Sequence, residues 1–134
     1  MLRRISLIAA STAMLAVSAL PASAAAMQSS THRLSFPGRH GVKAWGTYVK
    51  TSRGIRVNVC AEDTSGSVFA AGAVVVASNA SRKLHSNIGA VAFGYHQAIC
   101  RTMTLRYTSH LQVYTFTGTK KGTIGSRSKT KSIY

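Results

Sequence analysis

Glu62 and Asp63 are the two acidic side chains of this 134-residue chain, and they are adjacent in the stretch VCAEDTSGS. A pair of carboxylates can hydrolyse a glycosidic bond when the two groups face each other at about 5 to 9.5 Å. Neighbouring side chains of an extended chain point to opposite sides, so this pair lacks the required arrangement. A calcium site would need more oxygen ligands and further closely spaced Asp residues, which the chain does not have.

The same stretch has the residue types of a tight turn. We expect a strand to end at Ala61, and the side chain of Asp63 or Ser65 to bond the local backbone. Gly66 would then take the positive φ of a hairpin loop. The carboxylates would act as counter-ions for nearby Arg side chains. The sequence therefore favours turn chemistry over a catalytic or metal-binding pair.

The remaining residues that could carry chemistry form no recognisable motif. The histidines show no i, i+2 or i, i+4 pairing and no cluster with cysteine, so no metal site is predicted. The chain has no G-x-S-x-G elbow and no phosphate-binding loop. We expect no catalytic residue, no metal and no cofactor, and we interpret the histidines as scattered loop residues: His32, His40, His85, His96 and His110.

The first 24 residues are predicted to be a cleaved signal peptide. MLRR is a positive n-region, Ile5 to Leu20 is apolar, and Ala22-Ser23-Ala24 is a small-x-small cleavage signal after Pro21. The general secretory route is favoured over the twin-arginine route, because no Ser or Thr precedes the Arg pair and no Phe follows it. No Cys directly follows the cleavage site to take a lipid, and no later apolar run is long enough to anchor the chain, so we expect a secreted protein.

Cys60 and Cys100 are the two cysteines, and in an oxidising compartment they are expected to form a disulfide. Such a bridge would close a loop of about 40 residues and stabilise the fold by roughly 4 kcal/mol. Each cysteine lies on the more polar face of its predicted strand. This placement favours a bridge between neighbouring strands over one buried between two sheets.

Charge is the strongest functional signal in the sequence. The chain has 17 Lys and Arg, and loss of Arg3 and Arg4 with the signal peptide leaves 15 against two acids, a net charge of +13. At most two internal side-chain ion pairs can form, so the other cations must be solvated or neutralised by an external partner. A surface of this kind attracts polyanions at long range. The alternative is that the charge keeps an exported protein soluble.

Two basic segments are candidates for contacting a polyanion. In the last 16 residues, Arg127, Lys129 and Lys131 would form a row spaced by about 6.6 Å along an extended chain, comparable to phosphate spacing. The alternatives are an edge strand that lysines protect from aggregation, or a solvated tail. A second basic cluster surrounds Trp45 and Tyr48: Arg33, Arg39, Lys43, Lys50, Arg53 and Arg56. The predicted polyanion-binding residues are Lys120, Lys121, Arg127, Lys129, Lys131, Arg53 and Arg56.

The elements that must position these residues are β-strands. We expect residues 25–41 to be a partly disordered N-terminal linker and residues 42–134 to be one β domain with a basic C-terminal edge strand or tail. The run VFAAGAVVVAS lacks alternation and is expected to be a central strand buried on both faces. The predicted fold is all-β, a small antiparallel β-sandwich or partly open barrel of about six to eight strands with one disulfide. The predicted strands are Val42–Lys50, Gly54–Ala61, Val68–Ser78, Gly89–Tyr95, Ile99–Tyr107 and Leu111–Thr117.

These features together predict an exported, non-catalytic basic protein that binds anionic polymers or surfaces electrostatically. The expected partners are cell-wall polymer, extracellular nucleic acid or acidic polysaccharide. The alternative is a secreted effector that acts on a protein partner or as an antimicrobial, such as an inhibitor or a toxin. No small-molecule cofactor is expected.

Overall fold

Segments rich in Val, Thr, Tyr and Phe, separated by short polar turns, form the β-strands of this protein. The computed structural model describes residues 30–66, 68–121 and 123–134. Within these ranges the chain is all-β and contains no helix, and therefore no helix that could cross a membrane. The predicted signal peptide and its cleavage site lie outside the described residues. The strands are β1 His32–Arg33, β2 Val42–Thr51, β3 Gly54–Asp63, β4 Ala70–Ser78, β5 His85–Ala92, β6 Ala98–Leu105, β7 His110–Gly118, β8 Ile124–Arg127 and β9 Lys131–Ser132.

The strands form two open antiparallel sheets that pack face to face, which confirms the predicted sandwich. The first sheet has the order β1-β2-β3-β6, and the second has the order β5-β4-β7-β8, with β9 also pairing with β7. The six long strands predicted from the sequence correspond to β2 to β7. β4 lies between β5 and β7 and is mostly buried along its length, as predicted.

The stretch that contains both carboxylates connects the two sheets. β3 belongs to the first sheet and β4 to the second, so the two strands joined by this stretch lie in different layers. The prediction of a hairpin loop at this point was therefore wrong. The same turn residues occur in hairpin loops and in connections between two sheets. Which of the two forms depends on the strand with which β4 pairs, and the local sequence does not specify that strand.

The core lies between the inner faces of the two sheets, where side chains two residues apart point to the same side. The predicted inner face of β3 is confirmed, since its four apolar residues are fully buried. β6 shows the effect of lying at the edge of its sheet: Leu105 is buried, but Ile99 and Met103 are 41% and 50% exposed. The fully buried apolar side chains of the two central inner faces include Ile55, Val57, Val59, Ala61, Ala73, Val75, Ala77, Leu111 and Val113.

The predicted disulfide between Cys60 and Cys100 is present and joins neighbouring strands. The two residues are directly opposite each other on β3 and β6, with Cα atoms 4.1 Å apart. They lie on the outer face of the first sheet, because the alternate residues of β3 fill the core. The bridge ties the edge strand β6 to the central strand β3, as the polar-face argument predicted.

Both ends of the described chain contact the body of the sandwich. In the segment predicted to be a linker, Leu34 is buried in the core and its backbone N–H donates to Gly46 O at 2.9 Å. At the other end, Ile133 N donates to Leu111 O at 2.7 Å, and Leu111 N donates to Tyr134 O at 3.1 Å. The basic C-terminal segment is therefore strand-forming at the edge of the second sheet.

The Tyr134 ring packs against the core near Tyr48, with ring centroids 5.8 Å apart, and Lys50 Nζ lies 4.3 Å from its centroid. Its hydroxyl is buried and has no hydrogen-bond partner among the described residues. Burial raises the pKa of Tyr134 from 10.0 to about 12, and the neighbouring Tyr48 adds to the rise.

Candidate functional site

The two carboxylates point to opposite faces of β3. Asp63 faces inward and is fully buried, whereas Glu62 lies on the outer face opposite Lys43 of β2. Asp63 Oδ1 accepts hydrogen bonds from the backbone N–H groups of Ser65 at 3.2 Å and Gly66 at 3.1 Å. Gly66 has a φ of +65°. The predicted turn chemistry is confirmed, and the two carboxylates are not arranged to act across one bond.

The backbone of Asp63 also forms hydrogen bonds, to the segment that connects β5 and β6. Asp63 N donates to Gln97 O at 3.2 Å, and His96 N donates to Asp63 O at 2.8 Å. Asp63 Oδ2 is buried and has no hydrogen-bond partner within the described part of the chain. The sequence reasoning expected Arg counter-ions here, but in the described residues the group within 4.0 Å of the Glu62 carboxylate is the His96 ring, whose Nδ1 is 3.8 Å from Glu62 Oε1.

The cations are left without internal neutralisation. All 15 Lys and Arg beyond residue 4 lie in the described ranges; 14 are exposed and Arg39 is partly exposed. Among the residues that the structure describes, no Lys or Arg nitrogen lies within 4.0 Å of a carboxylate oxygen. One of the two acids is also enclosed in the core, so it contributes nothing to a surface ion pair.

The row predicted along the C-terminal segment does not form. Arg127 is opposite Phe116 on the outer face of the second sheet, but Lys131 is opposite Val113, on the inner-facing side. Lys131 Nζ donates to Ser35 Oγ at 2.7 Å. Three residues separate Arg127 from Lys131, whereas two separate their partners Phe116 and Val113 on β7. The one additional residue moves the later side chains to the other face of the sheet.

The other predicted polyanion-binding residues are spread over the molecule. Lys120 and Lys121 lie in the turn between β7 and β8, and Arg53 lies in the turn between β2 and β3. Arg56 points out from the first sheet, on the side of the molecule opposite to Arg127. The structure thus separates the predicted residues into at least two surfaces.

The outer face of the first sheet carries a shallow aromatic and cationic groove. Trp45 is 37% exposed there, and Lys43 Nζ lies 5.5 Å from the Trp45 ring centroid. Tyr48, in contrast, points inward and belongs to the core. The groove includes a depression of about 330 Å³ lined by Arg33, Leu34, Trp45, Gly46, Thr47 and Asn58.

The outer face of the second sheet carries another depression, which we name the Arg82–Arg127 concavity. Its floor comes from three strands in register: Ser78 of β4 is paired with His85 of β5 on one side and with His110 of β7 on the other. Two residues further along the same strands, the next row of outward-facing side chains is formed by Asn87, Val76 and Gln112. The concavity has a volume of about 320 Å³ and is lined by Val76, Ser78, Arg82, His85, Asn87, Gln112, Tyr114, Arg127 and Thr130.

The guanidinium of Arg127 is held in place at one side of this concavity. Its Cζ atom lies 3.6 Å from the Tyr114 ring centroid, and its Nη2 donates to Thr130 Oγ1 at 2.9 Å. The N–H groups of a guanidinium lie in its own plane. When its face contacts an aromatic ring, these groups therefore stay available to other acceptors.

Arg82 enters the concavity from the loop between β4 and β5. Its φ is +59°, a left-handed conformation that is uncommon for residues other than glycine. Asn79 supports this loop: its carbonyl accepts from Arg82 N at 3.0 Å, and its Oδ1 accepts from Leu84 N at 3.2 Å. The Arg82 side chain lines the concavity, and its Nη2 lies 3.5 Å from Nδ1 of His110, which is paired with Ser78 but does not line the concavity.

Sequence reasoning identified Arg127 but missed Arg82, His85 and His110. The two histidines were interpreted as scattered because they are 25 positions apart, whereas strand pairing places both beside Ser78. The signal that could have found them is the strand pairing β5-β4-β7, which no local pattern encodes. No group of three or more His, Cys, Asp or Glu side chains suited to a metal ion occurs in residues 30–66, 68–121 and 123–134.

Comparisons with known proteins leave the family open. No protein-family model matches the chain, and no curated protein matches it. Among solved structures, an endonuclease/exonuclease/phosphatase from Beutenbergia cavernae DSM 12333 aligns with a TM-score of 0.48 at 13% sequence identity. The alignment covers 78% of this chain and 27% of that one, so the chain spans about a quarter of the length of the protein it matches.

Proposed function

We propose that this protein is exported and binds anionic polymers or surfaces by electrostatic attraction, without catalysis. The observation that carries the proposal is the set of 15 basic side chains, 14 of them exposed, that have no carboxylate partner within the described residues. Cations that the fold does not neutralise repel one another, and an external polyanion relieves this repulsion.

The surface offers such a polymer more than diffuse charge. On one outer face Lys43 lies beside the exposed Trp45, and on the other Arg127 is stacked on Tyr114. Aromatic rings next to cations suit polymers that combine anionic groups with bases or sugar rings. Cell-wall polymers, extracellular nucleic acid and acidic polysaccharides all meet this description.

The test is chromatography of the purified protein on immobilised heparin and on immobilised single-stranded DNA. We expect elution well above about 0.15 M salt, because each neutralised anionic group contributes to the salt dependence of binding. Added polyphosphate should raise the melting temperature, since a ligand that binds the folded state stabilises it. Elution below physiological salt, with no thermal stabilisation by any polyanion, would contradict the proposal.

A secreted protein-interaction effector is the second candidate, and an exposed apolar patch on the second sheet favours it. Phe69 and Phe93 are 46% and 58% exposed and contact each other edge to face, with centroids 6.0 Å apart. Ile124 lies at the same end of the face, in a depression of about 230 Å³ that Phe93 also lines. Exposed apolar patches on soluble proteins mark protein contacts, among other binding surfaces.

A pull-down at high salt separates the two candidates, because salt screens charge but leaves apolar contacts intact. The protein should recover no stoichiometric protein partner from culture medium or cell lysate at about 0.5 M salt if polymer binding is its role. Recovery of one partner that the variant Phe93→Ser no longer recovers would favour the effector.

A further inference from the structure

We infer that the Arg82–Arg127 concavity is a binding site for one tetrahedral oxyanion group, a phosphate or a sulfate, carried by the polymer. The inference rests on the proposed function and specifies the part of the surface that makes a defined contact within it.

The two guanidiniums supply the recognition. Arg127 uses one N–H group on Thr130, and Arg82 directs one toward His110. The other four side-chain N–H groups of each have no protein acceptor among the described residues. A guanidinium presents its donors in a planar fork that matches two oxygens of a phosphate or sulfate, and such charge-assisted bonds are among the strongest in proteins.

The Arg127 guanidinium and the backbone that carries Arg82 are held before any ligand arrives. The Tyr114 ring and the Thr130 hydroxyl fix Arg127, while Asn79 fixes the loop in which Arg82 has a positive φ. Because these contacts restrict the side chains in the free protein, less conformational entropy is lost on binding.

The floor of the concavity favours an oxyanion as well. It offers the Ser78 hydroxyl, the side-chain amides of Asn87 and Gln112, and the imidazole of His85. No acidic side chain lines the site, since both carboxylates belong to β3 in the other sheet. Donors come from two sides and from the floor. This arrangement suits oxygens that point in several directions better than the two coplanar oxygens of a carboxylate.

The size of the concavity sets the extent of the bound group. At about 320 Å³ it lies at the lower end of the range of roughly 300 to 1,000 Å³ that ligand pockets occupy. It therefore accommodates one oxyanion with part of the unit that carries it, and the rest of the polymer would run over the open rim.

The test compares variants that remove the same charge inside and outside the site. Arg82→Gln and Arg127→Gln alter the site, and Lys83→Gln is the matched control, since Lys83 is exposed and adjacent to Arg82 but does not line the concavity. Binding of inorganic phosphate, sulfate and acetate is measured by calorimetry at constant ionic strength. Circular dichroism and melting temperature verify that each variant is folded.

We expect each site variant to weaken phosphate or sulfate binding about tenfold or more, as loss of a charge-assisted bidentate contact does. The control should change it less than about twofold, as loss of an exposed charge does. Acetate should bind more weakly than the tetrahedral ions. Arg127→Lys keeps the charge but loses the planar fork of donors. It should therefore recover less than about half of the affinity that Arg127→Gln loses.

Two polymer arms then identify the source of the group. A labelled oligonucleotide carries phosphodiesters and a labelled heparin fragment carries sulfates. The polymer that loses more affinity in Arg127→Gln than in Lys83→Gln is the one whose group occupies the site. Equal losses in site and control variants for every ion and polymer would overturn the inference, while retention of the wild type on polyanion columns would leave the proposed function standing. Failure of the wild type on those columns would overturn the proposed function itself.

Discussion

Asp63 offers the sharpest test of how the fold uses its scarce acids. Its side chain is fully buried at the end of β3, and Oδ1 accepts the backbone N–H groups of Ser65 and Gly66 in the connection to the second sheet. Asp63→Ala removes the acceptor and leaves both N–H groups without it. Asp63→Asn keeps an oxygen in the same place and removes the charge.

The two hydrogen bonds set the expected magnitude. Hydrogen bonds to a charged group are worth about 1.5 to 3 kcal/mol, and partial access of the loop N–H groups to water reduces the loss. We therefore expect Asp63→Ala to lower the free energy of unfolding by about 2 to 4 kcal/mol. Asp63→Asn should stay within about 1 kcal/mol of the wild type, because neutral hydrogen bonds replace charged ones while a buried charge is removed.

Glu62→Gln is the matched control, since it makes the same change in net charge on the outer face of the same strand. It should cost less than about 0.5 kcal/mol, as substitutions at surface positions usually do. The measurement is denaturant-induced unfolding of the oxidised protein, followed by circular dichroism and by Trp45 fluorescence. A loss in Asp63→Asn as large as in Asp63→Ala would show that the negative charge matters rather than the acceptor. A loss in Asp63→Ala no larger than in Glu62→Gln would refute the role of the turn.

Three further expectations follow from the fold. Replacing Cys60 and Cys100 together by Ala should lower the free energy of unfolding by about 4 kcal/mol, because the bridge closes a loop of 40 residues; an equal denaturation midpoint with and without the bridge would contradict this. Gly72→Ala should destabilise by about 1 to 3 kcal/mol, since a Cβ there would collide with the Phe116 ring, and combining it with Phe116→Leu should cost less than the sum of the two single changes. Because the pKa of Tyr134 is raised to about 12 in the folded state from 10.0, its contribution to stability is complete below pH 10 and is lost as pH rises toward 12. Tyr134→Phe should flatten the fall in melting temperature over that interval, and an unchanged pH profile would count against the burial of its hydroxyl.

Much of the fold could be predicted because it depends on local patterns. Residues 55, 57, 59 and 61 alternate with polar residues, so β3 and its inward face were predictable, and the uninterrupted apolar run of β4 marked a central strand. The polar-face position of both cysteines predicted a bridge between neighbouring strands. The short strand β1 was not predicted, and β8 and β9 lie where the prediction left an edge strand and a tail as alternatives, because two to four residues carry too little pattern.

The candidate site was predictable in part. Arg127 was identified from its basic surroundings, but its partners in the concavity come from β5, β4 and the loop after β4. His85 and His110 become neighbours of Ser78 through long-range pairing, which a single sequence does not specify. The row expected from Arg127 to Lys131 failed because one additional residue between them reverses which face the later side chains occupy.

The sequence by itself determined three properties of this protein: the all-β class, through period-two alternation and turn residues; the cysteine pair; and an excess of cations that two acids cannot neutralise. The tertiary structure decided which cations share a surface and which acid is hidden. Alternation assigns a side chain to one of two faces within its own strand, which is a local property. Sheet order and register bring Arg82, His110 and Arg127 together and direct Asp63 into the core, because these depend on contacts between segments far apart in the chain.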